Sequence, residues 1–303
     1  METWVVITIA AAFLQNLRSA LQKHLKGVMG TTGATFVRFG FGAPFALAYL
    51  AILHFGVGRP LPTVTVEFLA WAILGGIAQI TATGLLIHLF SLRNFAVGTA
   101  YSRTEPVQAA LFALMFLGET ITLGVAAAIV ISVTGVMLIA VARSVGRAFL
   151  AAFKSRDAAI GLLSGAGFGV AAVAYRMASL ALGRTLVAPD YMTQAAMTLA
   201  VVILFQSLLM LAWMAWREPD EFPRIVSAWK PSLLVGLVGA TASFGWFMAM
   251  TLQQAAIVKA LAQIEMLFTY ASAVLVFREH VNARELAGCV LVAFGVVVLL
   301  YLG

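Results

Sequence analysis

Two glutamates sit where glutamates are expensive. Glu105 and Glu265 each interrupt a long apolar run, with Arg103 two residues before the first and Lys259 six before the second. A charge held at mid-bilayer costs about 2.5–3.5 kcal/mol on insertion scales, so such a group faces a partner cation, a water-filled cavity or a proton in transit. That is the chemistry of ion coupling and polar-solute binding. Each glutamate is followed fourteen residues later by a second one, Glu119 and Glu279, and the two pairs stand 160 residues apart. With only 12 acidic residues in 303, that repetition points to a duplicated unit.

The elements that must position these groups are apolar helices. The chain is 62% hydrophobic and 10% charged, with mean hydropathy +1.01. A soluble domain carries about 25% charged residues, so most of this surface must face lipid. Ten apolar segments are predicted, at about 3–22, 33–55, 68–90, 96–117, 122–142, 158–182, 191–216, 232–252, 256–277 and 283–302. Backbone groups in lipid must pair internally, which makes these segments helices. Laying 96–139 on 256–299 without gaps aligns Glu105 with Glu265, Glu119 with Glu279 and Gly135-Val136 with Gly295-Val296. Only nine of 44 positions are identical, so the glutamates and the glycine carry the match. The predicted organisation is a first repeat over 1–142, a basic linker over 143–157 and a second repeat over 158–303. Five spans per repeat is odd, so the second repeat enters the membrane inverted. The fold class is thus an all-α integral membrane protein with ten transmembrane helices, as two inverted five-helix repeats around a central cavity. The odd-numbered loops hold Lys23, Lys26, Arg93, Arg143, Arg147, Lys154, Arg156, Arg217, Arg224, Lys230, Arg278 and Arg284, and the other face holds Arg59 and Arg184. The positive-inside rule places the basic face in the cytoplasm and both termini outside.

Within segment 4, Tyr101 lies one helical turn before Glu105, within reach of its carboxylate, and Pro106 predicts a kink that frees the Ser102 carbonyl. In segment 9, Lys259 and Gln263 share a face at i,i+4, and Gln263 aligns with Arg103. Arg103 and Glu105 face different ways, so Glu105 and Glu265 are expected to find partners within their own halves, with Arg38 of segment 2 an available cation. Arg38, Arg103 and Lys259 outnumber the two glutamates, a balance that favours an anionic group on the bound solute. Gln79 and Trp246 are candidates to complete a binding pocket with Arg38, Tyr101, Arg103, Lys259 and Gln263, while Glu105 or Glu265 would bear a coupling proton. Arg18 and Arg176 are expected to snorkel, His88 to pack, Glu119 and Glu279 to cap helix starts, and Gly161–Gly169 to let helices approach closely.

No nucleophile–base pair, HExxH, GxSxG or metal-ligand cluster is present, so the expectation is a protein that is not an enzyme, with no cofactor or metal and no catalytic residue. No nucleic-acid motif accompanies the net charge of +7. The lone Cys289 cannot form an intramolecular disulfide, and the first segment lacks the basic start of a signal peptide. The partners implied are a small-molecule metabolite, membrane lipid and a coupling proton; the oligomeric state stays open.

The runs Glu105-Pro106-Val107 to Phe116-Leu117-Gly118-Glu119 with Gly135-Val136, and Gln263-Ile264-Glu265 to Val276-Phe277-Arg278-Glu279 with Gly288 and Gly295-Val296, resemble the end of an EamA domain, of the drug/metabolite transporter superfamily. The resemblance implies a bacterial inner-membrane secondary transporter that works by alternating access, exporting small metabolites such as amino acids through a central polar cavity among segments 1, 3, 4, 6, 8 and 9. Members of the family often have cytoplasmic termini, against the charge count here. Met266 in place of Pro106 implies that the two halves are not equivalent. An exchanger of phosphorylated or anionic metabolites, or a non-transporting scaffold or channel, are the alternatives.

Overall fold

A computed structural model describes residues 2–89, 101–142, 156–275 and 283–302. Arg93, Arg143, Arg147, Lys154, Arg278, Glu279 and linker residues 143–155 lie outside the described residues. Among those described, the structure is helical without strands: α1 Thr3–Leu25, α2 Thr31–Gly40, α3 Ala43–Ala51 with a π-turn Ile52–Gly56, α4 Val66–Leu89, α5 Glu105–Leu117, α6 Leu123–Ala142, α7 Arg156–Gly183, α8 Tyr191–Arg217, α9 Glu221–Ser227, α10 Trp229–Leu252, α11 Ala255–Leu261, a 3₁₀ turn Ala262–Ile264, α12 Glu265–Leu275 and α13 Ala283–Leu302. Among the described residues, seven stretches are long and apolar enough to cross a membrane: α1, the α2–α3 run Thr31–Gly56, α4, α7, α8, α10 and α13. Large apolar side chains such as Phe13, Leu114 and Phe294 are more than half exposed, as lipid-facing residues are.

The chain forms two compact units, Met1–Ile80 with Ala174–Gln254, and Thr81–Val173 with Ala255–Gly303. Each unit therefore takes helices from both sequence repeats. Without a hydrophobic drive between helices in lipid, close approach depends on small residues, and the glycines show where.

In the first unit α1 and α10 run antiparallel. A Cβ on Gly245 would sit 3.0 Å from the Ala11 methyl, and one on Gly239 would sit 3.3 Å from the Arg18 stem. α8 packs on α2, α3 and α10, and Gly42, at the α2–α3 break, lies against Ile203 of α8 and the Gly236 carbonyl of α10. The loops of this unit are tied in two clasps. At one end Arg59 pairs with Asp190 at 3.6 Å, Arg184 pairs with Glu67, and the Thr63 N–H donates to Thr185 Oγ1 at 3.0 Å. At the other, the Gly30 N–H donates to Glu221 Oε2 at 2.8 Å and the Thr32 hydroxyl to Glu218 Oε1 at 2.9 Å.

In the second unit α6 and α13 meet backbone to backbone. A Cβ on Gly135 would lie 2.7 Å from the Gly288 carbonyl oxygen and 2.8 Å from the Val292 nitrogen. A Cβ on Gly295 would lie 3.0 Å from the Ala128 carbonyl oxygen and 2.9 Å from the Ser132 nitrogen. A shift of 160 residues carries 135 to 295, 128 to 288 and 132 to 292, so the two contacts map onto each other atom for atom. The predicted glycine patch of α7 behaves as expected: Gly165 packs on the Ser102 carbonyl and Gly169 on the backbone of Ala109.

Candidate functional site

Both polar apolar segments are broken at the same repeat position. In the first, Tyr101 and Ser102 are helical, Arg103 and Thr104 turn, and α5 starts at Glu105. The Thr104 hydroxyl donates to the Tyr101 carbonyl at 2.7 Å and accepts from the Gln108 amide at 2.9 Å. Pro106 occupies the second position of α5, where a missing N–H costs nothing. The proline therefore begins a helix rather than kinking one. In the second segment α11 gives way to the 3₁₀ turn Ala262–Ile264, and α12 starts at Glu265. Met266 in place of proline has not preserved the helix, so the two repeats share the break that the proline alone suggested for one. Each break sets a glutamate in the first turn of a helix, where the positive end of the macrodipole favours a carboxylate.

Two ion pairs cross between the broken segments. Arg103 forks onto Glu265, with Nη1–Oε2 2.8 Å and Nη2–Oε1 3.3 Å. Lys259 Nζ stands 2.8 Å from Glu105 Oε1. The side chains are 24% and 3% exposed in the first pair and 12% and 16% in the second, so Arg103 is the most open of the four. The Gln263 amide also donates to the Arg103 carbonyl at 3.3 Å. The expectation that each glutamate pairs within its own half is thus corrected: these ion pairs each join one repeat to the other. Sequence periodicity gives the direction of a side chain on its own helix and says nothing of which helix faces it. The carboxylates occupy equivalent positions, while the cations do not, since Arg103 is two residues before its glutamate and Lys259 six before its own. Tyr101 is buried against Ala158 with Met137 nearby, and the Glu105 carboxylate meets Lys259.

The remaining candidates lie in the first unit. Arg38 is 4% exposed and lies beside Arg18, 5% exposed, within the first unit. Both stems pass within 3.5 Å of the point where a Cβ on Gly239 would stand. Gln79 is engaged in a polar network: its Oε1 accepts from the Tyr175 hydroxyl and the Gln206 amide, each at 2.9 Å, and Gln206 also reaches the Gly76 carbonyl at 3.1 Å. Trp246 is buried and its indole N–H donates to Gln15 Oε1 at 3.0 Å. Arg176 does not snorkel. Its Nη1 donates to the Met250 and Gln253 carbonyls at 2.7 and 2.6 Å, at the C-terminal end of α10 where backbone acceptors and the dipole welcome a cation. Arg18 is buried too. His88 is exposed rather than packed. At the start of α6 Thr122 Oγ1 accepts from the Val125 N–H at 3.2 Å, and Glu119 follows the left-handed Gly118 that closes α5.

Sequence reasoning missed two arrangements. One is the Arg18–Arg38 convergence, for which the bare Gly239 is the signal. The other is Glu221, 4% exposed, seated on the first turn of α2 and held by Arg224 at 2.6 Å. Gly30 and Gly33 are the signal here: a Cβ at either position would run into the Glu221 carboxylate.

Helices of this length and apolarity, broken in two places by paired charges, define an all-helical integral membrane protein. Comparison with known proteins sharpens that class: the EamA-like transporter family matches over residues 2–141 and 159–301. The chain belongs to the EamA-like transporter family. A solved crystal structure, described only as that of a protein, is similar with a TM-score of 0.75 at 19% sequence identity, covering 99% of this chain and 97% of that one. It shares the fold. Among curated proteins none matches the sequence.

Proposed function

We propose that the protein is a secondary transporter that exports small metabolites such as amino acids across the bacterial inner membrane by alternating access. The observation that carries this reading is the doubly broken core of the second unit. Two membrane segments stop and restart at equivalent points, and the four charges set at the breaks are paired across the repeats. Broken helices with charged termini are how secondary carriers expose backbone and charge to a solute. Ion pairs of this kind are reversible latches: a zwitterionic solute that offers its carboxylate to Arg103 and its amine to a glutamate can replace one set of partners with another. Arg103, Lys259 and Gln263 are the solute-facing groups in this reading, and Glu105 and Glu265 bear the coupling charge. Tyr101 is a wall behind them.

The ten-helix, inverted-repeat architecture is part of the proposal. It is supported by the contacts of Gly135 and Gly295, which repeat at a spacing of 160, and by the loop clasps. Loops 26–30 and 218–220 meet at one end of the first unit, and loops 57–65 and 184–190 at the other, as a ten-span topology requires. The charge bias then puts the first clasp in the cytoplasm and both termini outside.

Counterflow in proteoliposomes tests the function. Vesicles preloaded with unlabelled L-amino acids are expected to take up the labelled ones transiently and saturably. Glu105→Gln and Glu265→Gln should abolish the dependence of uptake on a pH gradient. Linear, non-saturating flux without counterflow would instead identify a channel, and unchanged gradient dependence in both variants would end the coupling assignment. Membrane-impermeant thiol labelling of Thr185→Cys from outside and Ser227→Cys only from inside checks the orientation.

A further inference from the structure

The 3₁₀ turn that breaks the second polar segment carries a buried amide with one unused end. Gln263 is 3% exposed. Its Nε2 donates to the Arg103 carbonyl at 3.3 Å. A carbonyl can only accept, so this bond fixes how the amide is turned, with nitrogen toward Arg103 and oxygen away. That oxygen, Gln263 Oε1, is buried and accepts no hydrogen bond from any of the described residues. Elsewhere the chain supplies donors to such groups. Gln79 Oε1 takes the Tyr175 hydroxyl and the Gln206 amide, and Gln15 Oε1 takes the Trp246 indole. A buried acceptor without a donor has given up its hydration and receives nothing in return.

The surroundings say what kind of donor fits. Gln263 and Glu265 are two residues apart and both reach Arg103, the amide at its backbone carbonyl and the carboxylate at its guanidinium. The Arg103 side chain is 24% exposed, so its fork with Glu265 is the contact a solute meets first. The four charges at the breaks, Arg103, Lys259, Glu105 and Glu265, sum to zero. A zwitterion therefore enters without adding net charge. When its carboxylate draws Arg103 away, its ammonium is left to Glu265 and to the Gln263 oxygen beside it. A solute hydroxyl or amide could also donate to that oxygen. Only an ammonium does so while neutralising the carboxylate that Arg103 releases, and a buried carboxylate left alone is strongly disfavoured.

We propose that Gln263 Oε1 is the acceptor that reads an ammonium N–H on a zwitterionic solute, so that the carrier takes zwitterions with N–H donors and rejects those whose nitrogen is fully methylated. This rests on the carrier reading and narrows its substrate class. A trimethylammonium group carries the same charge and has no N–H to give. A site built to hydrogen-bond a buried group rejects the analogue that lacks the donor, because its own acceptor is then stranded.

The test is thermal stabilisation of the purified full-length protein in neutral detergent by L-alanine, L-leucine and L-phenylalanine, each with its N-methyl and N,N,N-trimethyl derivatives. Wild-type protein is expected to be stabilised saturably by at least one of the three amino acids. Its N-methyl form should bind within about threefold of the parent and its trimethyl form at least about tenfold more weakly. Gln263→Met keeps the length and removes the acceptor, and should bring the parent and trimethyl forms within about threefold of each other. Gln263→Glu loses the donor to the Arg103 carbonyl but keeps an acceptor, so it should hold the preference for the parent. If tying down that carbonyl were the whole role of Gln263, both variants would lose the preference alike. Equal affinity for parent and trimethyl forms in wild type, an unchanged preference in Gln263→Met, loss of the preference in Gln263→Glu, or no stabilisation by any of the three amino acids overturns the proposal. Should Gln263→Met fail to fold, Gln263→Glu and the wild-type methylation series decide the matter, because affinity already lost at the first methyl group reports size and overturns it too. Selective binding of a parent amino acid without its counterflow leaves the Gln263 site standing and fails the carrier reading. Counterflow of an amino acid and of its trimethyl form at equal apparent affinity does the reverse.

Discussion

Removing either partner of the Arg103–Glu265 pair should destabilise the protein, and the two removals should not cost the same. Breaking a buried pair from one side costs about 3–5 kcal/mol, because the remaining charge is stranded. Arg103→Gln strands Glu265, whose side chain is only 3% exposed, so the full range applies. Glu265→Gln strands Arg103, which is 24% exposed and can recover part of its hydration, so about 2–3 kcal/mol is expected. The double variant replaces the pair with two amides able to bond each other. It should be more stable than the sum of the single losses predicts by at least about 2 kcal/mol, within the span of measured couplings between contacting residues. Reversible unfolding in mixed micelles, followed by tryptophan fluorescence, measures all four corners of the cycle. Additive single effects, or a larger loss for Glu265→Gln than for Arg103→Gln, would refute the assignment of this pair as a latch whose closed state depends on mutual neutralisation.

Other outcomes follow from the packing. Gly135→Val and Gly288→Val place a side chain within 2.7 Å of backbone atoms that cannot step aside, so each should cost at least about 2 kcal/mol and reduce the folded fraction in size-exclusion chromatography. Gly84, inside α4 with open space around its Cβ position, should accept alanine and gain about 0.5–1 kcal/mol in the same assay. Gly33→Ala collides with the Glu221 carboxylate and should lower the melting temperature, and Glu221→Ala, itself destabilising, should make the alanine tolerable. Arg176→Ala forfeits two charge-assisted bonds to the end of α10 and should cost about 2–3 kcal/mol, with Arg176→Lys retaining part of it.

The architecture was largely legible because lipid enforces it. Each predicted apolar segment has helix on it among the described residues, and the boundaries fall within a few residues of composition-based expectation. The break in the first polar segment was legible through Pro106, though the proline proved to open α5 rather than bend a helix. The break at Ala262–Ile264 was not, since none of those residues disrupts a helix on its own; tertiary contacts, the Gln263 amide on the Arg103 carbonyl among them, stabilise the turn there. The reciprocal pairing was hidden for a different reason. Arg103 and Glu265 are 162 positions apart, and only the packing of helices, which periodicity does not encode, brings them within 2.8 Å. Arg18 looked like a helix-end residue by position; that it turns inward depends on a glycine more than two hundred residues away.

The contact between α6 and α13 also carries a history. Gly135 touches the residue equivalent to the one that Gly295's partner Ala128 represents, so a single patch serves as both sides of its own interface. That is the isologous relation found where two identical subunits meet about a dyad. Between identical subunits, one substitution alters both ends of the contact together. Inside a single chain the ends are independent, and they have already diverged: position 288 is glycine where its equivalent 128 is alanine, and 292 is valine where its equivalent 132 is serine. The two copies can therefore be tuned separately, one end keeping the helices in contact while the other accepts change.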